Sequence, residues 1–325
     1  MKLVRRIVVT LLAVVVVAIL GFAGWVASRQ NLRFDVPLPA VAASSDSAVI
    51  ARGHYVVRNV APCAACHGAP DAHAAWTTGG DIPLSGGYTF AIPPGSFHVP
   101  NITPDLETGI GRLSDGQIAR ALRHGVGREG RALLPFMEMQ GLSDEDLVAV
   151  ISYLRSQPPV RHVVPAHEYN LLGKVVKATV LANPVGPSSP PPAMSPRGAT
   201  VENGAYVARA IATCQGCHTT RDQATGAFTN AEFSGTTDFV NEADLSQLWA
   251  PPNLTPDPKT GMSARLDEDA WVARFRAGRT IPGSPMPWQA YARMDEADLR
   301  AIHKYLRTLP PVEHDTGPRV RPKGK

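Results

Sequence analysis

All four cysteines of this 325-residue chain fall in two short strings, Cys63-Ala64-Ala65-Cys66-His67 and Cys214-Gln215-Gly216-Cys217-His218. Two thiols three positions apart on a helical turn lie on one side, about 5–6 Å apart at Cβ. Each can then add to one vinyl group of a single porphyrin, and the histidine after the second thiol is held over the iron as an axial ligand. This is the c-type haem attachment signal, present twice. A thioredoxin-like redox pair or half of a zinc site also uses Cys-x-x-Cys, but neither needs the histidine, and the two pairs are too distant in sequence for a compact zinc ribbon. The expected cofactors are two covalently bound haem c groups, held by Cys63, Cys66 and His67 and by Cys214, Cys217 and His218.

The elements that must position these strings are helical, and they occur twice. Gly53-His54-Tyr55 precedes the first motif as Gly204-Ala205-Tyr206 precedes the second. Asn101-Ile102-Thr103-Pro104-Asp105 recurs as Asn253-Leu254-Thr255-Pro256-Asp257, Tyr153-Leu154-Arg155 as Tyr305-Leu306-Arg307, and Pro158-Pro159-Val160 as Pro310-Pro311-Val312. The offset stays at about 152 residues, which marks a duplication. In the first copy, Ser45 and Asp46 cap a helix over residues 48–60, on which Gly53 lets another helix approach closely. A second helix starts at Ser114, with Gln117 completing a capping box, and stops at Gly125. A third starts at Ser143, repeats apolar residues at helical spacing through Leu154, and ends before Pro158. Strand-like runs are nearly absent, and the long loops 68–99 and 219–252 are expected to wrap a porphyrin edge.

Residues 7–26 form an uncharged run that as a helix rises about 30 Å, enough to span a bilayer's hydrocarbon core. Lys2, Arg5 and Arg6 before it favour a cytoplasmic N-terminus and export of the chain beyond the span. A cleaved signal peptide is the alternative; the length of the run and Trp25 at its outer edge favour a retained anchor. The formal charge of +4 resides in Lys2, Arg5, Arg6 and Arg29, so the remaining 28 basic and 28 acidic side chains balance. That balance gives no case for nucleic acid.

With the paired motifs, the Asn-x-Thr-Pro-Asp loops and the capped last helices in hand, residues 45–313 resemble two class I cytochrome c domains. The likeness is to membrane-anchored dihaem cytochromes c and, more distantly, to the cytochrome subunits of periplasmic dehydrogenases. The resemblance implies an all-α fold: one N-terminal transmembrane helix (residues 1–30), domain 1 (45–160), a Pro-rich linker with a short helix (161–199), domain 2 (200–313) and a basic tail (314–325). It also implies a methionine as the other axial ligand. Met286, in Met286-Pro287, fits the family pattern in copy two. Copy one has Leu134 in that register, which cannot bind iron; Met137 is the expected ligand, with Met139, His98 and His124 as alternatives. A His/Met pair gives a comparatively high potential suited to electron transfer.

The expected function is therefore single-electron carriage in the periplasm, with no catalytic residue and with the chemistry left to the iron. The implied partners are redox proteins: a dehydrogenase or quinol-oxidising complex as donor, and a terminal oxidase or soluble cytochrome as acceptor. A dihaem peroxidase or oxidase with one open iron is an alternative, prompted by Leu134, and a subunit that tethers a dehydrogenase to the membrane is another. His73, His162, His167, His303 and His314 read as solvated side chains, and Asn101 and Asn253 as turn formers more than propionate partners. In the linker, residues 171–182 read as a basic amphipathic helix, a strut between domains or an element lying on the membrane. Residues 183–196 read as a stiff spacer, and the tail around Arg319, Arg321, Lys323 and Lys325 as a frayed end.

Overall fold

A computed structural model of the chain describes residues 1–222, 226–240, 244 and 246–323. Helix α1 (Lys2–Arg29) is long and apolar enough to cross a membrane, and Val26 is its one buried residue. The first copy holds α2 (Ser47–Tyr55), α3 (Cys63–His67), α4 (His73–Thr77), α5 (Asp115–His124) and α6 (Asp144–Ser156). Between the copies lies α7 (Leu171–Ala178). The second copy holds α8 (Val201–Tyr206), α9 (Cys214–His218), α10 (Met262–Arg265), α11 (Glu268–Arg276), α12 (Trp288–Tyr291) and α13 (Glu296–Arg307).

Local chemistry sets the ends as the sequence predicts. The Asp46 side chain accepts from Ala48 and Val49 amides to cap α2, while Ser45 takes no part in that cap. Ser114 and Gln117 form the complete capping box of α5, which ends at Gly125 in the left-handed region, φ +58°. Ser143 Oγ caps α6 through the Asp146 amide. In each copy the first helix loosens into a π turn, Val56–Val60 and Val207–Ile211, directly before the attachment motif.

The close approach expected at Gly53 is real. A Cβ there would lie 1.9 Å from the Ala149 carbonyl oxygen, and one at Gly204 would lie 1.9 Å from that of Ala301. Helices α2 and α6 thus cross at Gly53, and α8 and α13 cross the same way at Gly204. A single apolar core, including Val57, Ile151, Ile211 and Leu306, runs through both copies.

The copies also clasp each other reciprocally. Tyr55 Oη donates to Asp298 at 2.6 Å and accepts from the Asp295 amide at 3.0 Å. Tyr206 Oη donates to Asp146 at 2.7 Å and accepts from the Ser143 amide at 3.0 Å. Each tyrosine closes the helix that carries the glycine crossing, and each reaches the first turn of the other copy's last helix. The interface therefore has pseudo-twofold character, as expected when a duplicated patch meets itself.

The structure corrects several sequence expectations. The long loops are not strand-free: β1 (Thr89–Ile92), β2 (Gly95–His98) and β3 (Glu168–Tyr169) make one antiparallel sheet. A second sheet joins β4 (Phe239–Val240), β5 (Gln247–Trp249) and β6 (Val320–Pro322). In the first sheet, Phe97 packs edge-on to Tyr169 at 5.1 Å, so a cross-strand aromatic contact replaces the missing hydrophobic alternation. The tail is not frayed through Lys323: Arg321 pairs with Leu248 in the sheet, and the Lys323 amide donates to Ser246 O at 2.7 Å. Lys325 lies outside the described residues. The spacer 183–196 ends on the N-terminus of α6, where Pro192 and Ala193 carbonyls accept from the amides of Asp144 and Glu145. Those amides are otherwise unpaired at a helix start.

Candidate haem-binding sites

Both attachment motifs form short helices, α3 and α9, so the two thiols of each pair share a side as their spacing requires. None of the four cysteines is in a disulfide; three are half-buried residues and Cys217 is exposed. Burial pushes the thiols of Cys63 and Cys214 up to about 12. A thioredoxin-type nucleophile needs the opposite shift.

His67 and His218 are both buried, at 8% exposure, and their surroundings match closely. His67 Nδ1 lies 2.9 Å from the Pro100 carbonyl oxygen, and His218 Nδ1 lies 2.8 Å from that of Pro252. A carbonyl only accepts, so Nδ1 carries the proton in both and Nε2 keeps its lone pair for a metal. Burial lowers the pKa of His67 and brings that of His218 down to about 4, against the pull of those carbonyls, which keeps both rings neutral. Such an outer hydrogen bond fixes ring orientation and raises ligand basicity.

The backbone behind each histidine is fastened in the same manner. Gly86 N donates to His67 O at 2.8 Å, and Gly235 N donates to His218 O at 2.8 Å. Both glycines have positive φ, +71° and +87°, and a Cβ would strike the backbone of Val99 and Pro100 or of Pro251 and Asn253. Sequence reasoning missed Pro100, Pro252, Gly86 and Gly235. A signal was present, since each proline directly precedes the repeated Asn-x-Thr-Pro-Asp string.

That string performs the structural role expected of it. Asn101 Nδ2 donates to Thr108 Oγ1 at 3.1 Å and to Val160 O at 2.8 Å, while its Oδ1 accepts from Thr103. Asn253 repeats the pattern with Thr260 Oγ1 at 2.9 Å, Val312 O at 2.7 Å and Thr255. Both amide protons are thereby used within the protein. The loop that supplies the proline carbonyl is thus bolted to the Pro-Pro-Val segment after each last helix.

Two of the supposedly solvated histidines belong to the same bolt. His162 Nδ1 sits 2.9 Å from Ser85 O, and His314 Nδ1 sits 2.8 Å from Ser234 O, one residue before each glycine. His303 is buried, 2.8 Å from Leu266 O through Nε2. His167 accepts from the His98 amide at 3.1 Å. The sequence offers no short-range cue for these contacts; of the five, His73 and His167 are exposed, as expected, His162 and His314 are half-buried and His303 is buried.

The methionines sit on the segments that lead into the last helices. Met286 is half-buried against the core, and in the same segment Tyr291 Oη donates to Ala212 O at 3.0 Å, two residues before Cys214. In copy one Met137 and Met139 are both half-buried, and Met139 packs on the core. Glu138 between them pairs across the copies with Arg221, and its carboxylate lies beside Gly216 of the second motif. His98 Nδ1 is 2.9 Å from Thr89 Oγ1 in the hairpin, and His124 ends α5.

Among the described residues, no three His, Cys, Asp or Glu side chains cluster closely enough to hold a bare metal ion. Each motif offers one free imidazole nitrogen beside two thiols, which suits a metal that brings its own equatorial ligands. The cytochrome c family profile matches residues 50–158 and 201–310, the two repeated units. The chain belongs to the cytochrome c family. It is 28% identical over 294 residues to the alcohol dehydrogenase (quinone) cytochrome c subunit of Komagataeibacter europaeus, covering 84% of this chain and 58% of that protein. It is 28% identical to the fructose dehydrogenase cytochrome subunit of Gluconobacter japonicus, over 84% of this chain and 55% of that one. A diheme cytochrome c-type protein of Cereibacter sphaeroides is 24% identical, over 77% and 83% of the two chains. This cytochrome c spans little more than half the length of the dehydrogenase subunits it resembles, and it is a dihaem protein with two covalently bound haem c groups.

Proposed function

We propose that this dihaem cytochrome c is a membrane-anchored electron carrier. It takes single electrons from a dehydrogenase or quinol-oxidising partner and hands them to a terminal oxidase or a soluble cytochrome. Helix α1 anchors it in a bacterial inner membrane and the haem-bearing units, residues 45–160 and 200–313, lie in the periplasm. The names of the dehydrogenase cytochrome subunits support a dehydrogenase as donor. The observation that carries the reading is the repeated histidine geometry, with Nδ1 committed to a proline carbonyl and Nε2 free.

In this reading Cys63 and Cys66 tether one haem, Cys214 and Cys217 tether the other, and His67 and His218 are the proximal ligands. Met137 and Met286 would each give the iron its second protein ligand. Haem, when bound, would supply a one-electron ferric/ferrous couple. The chain's own task is to keep the imidazoles neutral and oriented, to offer thioethers that favour the reduced state, and to exclude water. No side chain is required to move a proton or touch a substrate. Leu134 in the register of Met286 favours a second reading, in which the first iron is open and performs peroxidase or oxidase chemistry.

Redox titration with optical spectra on the wild type, Met137→Ala and Met286→Ala tests both. Each substitution is expected to lower the midpoint of one haem and to let that haem bind carbon monoxide, while the wild type binds none. Rapid carbon monoxide or cyanide binding by the wild type would support the open-site reading. Unchanged haems in Met137→Ala would move the ligand to Met139. Colourless protein with free thiols would end the carrier reading.

A further inference from the structure

Helix α7 belongs to neither repeated unit. It is tied instead to the end of α1: Arg29 Nε donates to Ala178 O at 3.3 Å, and Lys177 Nζ donates to Asn31 Oδ1 at 3.1 Å. Asn170 caps α7 through the Gly173 amide, and Gly173 faces the β1–β2 hairpin, where a Cβ would come within 2.2 Å of Pro94 O. These contacts correct the expectation of a strut between the two domains, because α7 joins the hairpin of copy one to the apolar N-terminal helix.

What α7 leaves uncovered is apolar. Leu171 is 81% exposed, Leu172 50%, and Val180 just past the helix 43%. Large apolar side chains in the open at both ends of so short a segment, with Lys174 and Lys177 between them, are unusual for a soluble surface. The C-terminal end of α7 adjoins the outer end of α1, where exposed Trp25 carries the Arg29 guanidinium 5.4 Å from its ring centre. Aromatic and basic residues of this kind sit at headgroup depth. Arg131 and Lys174 lie close enough to Lys177 to add to the lowering of its pKa that burial begins, so positive charge gathers around it, and its ammonium also rests 4.8 Å from the Tyr169 ring centre.

We propose that α7 is a membrane-surface helix: Leu171, Leu172 and Val180 enter the outer leaflet of the bilayer that α1 crosses, while Lys174 and Lys177 meet anionic lipid phosphates. The proposal rests on the reading of α1 as a retained span. An amphipathic helix of this kind immerses its apolar face by about 5–10 Å. A second contact beside the span turns a swivelling tether into a fixed mount. The mount holds the haem units at one tilt to the membrane and thereby selects which of their faces a partner can reach.

The test is nitroxide accessibility on the full-length holoprotein in vesicles of phosphatidylethanolamine and phosphatidylglycerol. Leu172→Cys carries the label at α7, Ile19→Cys carries it in the span, and Leu171→Cys repeats the first measurement should Leu172→Cys fail to fold. The α7 label is expected to be relaxed several-fold more by oxygen than by a water-soluble nickel chelate, as the span label is. Replacing phosphatidylglycerol by phosphatidylcholine should reduce that ratio; an unchanged ratio would overturn the role given to Lys174 and Lys177. A span label in lipid with α7 labels in water would overturn the proposal and leave that face to a protein partner. A span label itself in water would overturn the anchor reading and the mount with it.

Discussion

Replacing Tyr55 and Tyr206 together by phenylalanine separates a clasped pair of domains from two domains that merely neighbour each other. Each hydroxyl donates to a buried carboxylate of the other copy, Asp298 at 2.6 Å and Asp146 at 2.7 Å. A hydrogen bond to a charged acceptor is worth about 1.5–3 kcal/mol, so two contribute up to about 3–6 kcal/mol. The sum is an upper bound, because Arg52 lies over the Tyr55 ring at 5.3 Å and also pairs with Asp146, which couples the two sites. The singles should be unequal. Asp146 keeps both bonds from Arg52, at 2.7 and 2.8 Å, when Tyr206 is cut back, whereas Asp298 keeps the Asn203 amide at 2.7 Å. Tyr55→Phe is therefore the costlier change. Urea unfolding followed by Soret absorbance and circular dichroism is the assay. With a slope of about 3 kcal/mol/M, the double variant should lose roughly 1–2 M of midpoint and split into two transitions. A single transition within about 0.2 M of the wild-type midpoint would refute the reasoning.

Gly53→Ala and Gly204→Ala place a methyl group 1.9 Å from a carbonyl oxygen of the crossing helix. Each should destabilise its unit by about 1–3 kcal/mol or more through overpacking, read as a lower Tm; an unchanged Tm would show that the crossing yields freely. Asn253→Ala removes bonds to Thr260, Val312 and Thr255 and should cost about 2–4 kcal/mol in urea unfolding, with Asn101→Ala behaving alike. Stability should also fall at both ends of the pH scale. Burial opposes the charge on Asp146, but Arg52 and Tyr206 overcome it and hold its pKa below the ordinary 3.8, so its contribution is complete above that value and is lost as pH falls through the folded pKa. Burial and Asp298 raise the pKa of Tyr55, and burial and Asp146 raise that of Tyr206, from the ordinary 10.0; their contribution is complete below pH 10 and is lost as pH rises beyond it. Tm measured against pH should show a plateau between those limits, and Asp146→Asn should flatten its acid side.

The sequence alone determined the features whose causes act over a few residues. Cys-x-x-Cys-His needs one helical turn, the caps at Asp46, Ser114 and Ser143 need three residues each, and a duplication is visible wherever its strings are compared. The glycine crossings were legible too, because a missing Cβ in an apolar stripe has one common use. Tertiary structure decided what depends on partners far along the chain. The carbonyl that fixes His67 comes from Pro100 and the one that fixes His218 from Pro252, across loops whose path no local pattern states. The small sheets, the buried setting of His303 and the attachment of α7 to α1 have the same origin, since strand pairing and side-chain burial answer to packing and not to propensity. Tyr55 and Tyr206 show the division most plainly. Their recurrence was in the sequence, but that each closes on the other copy's aspartate comes from how two copies of one surface meet.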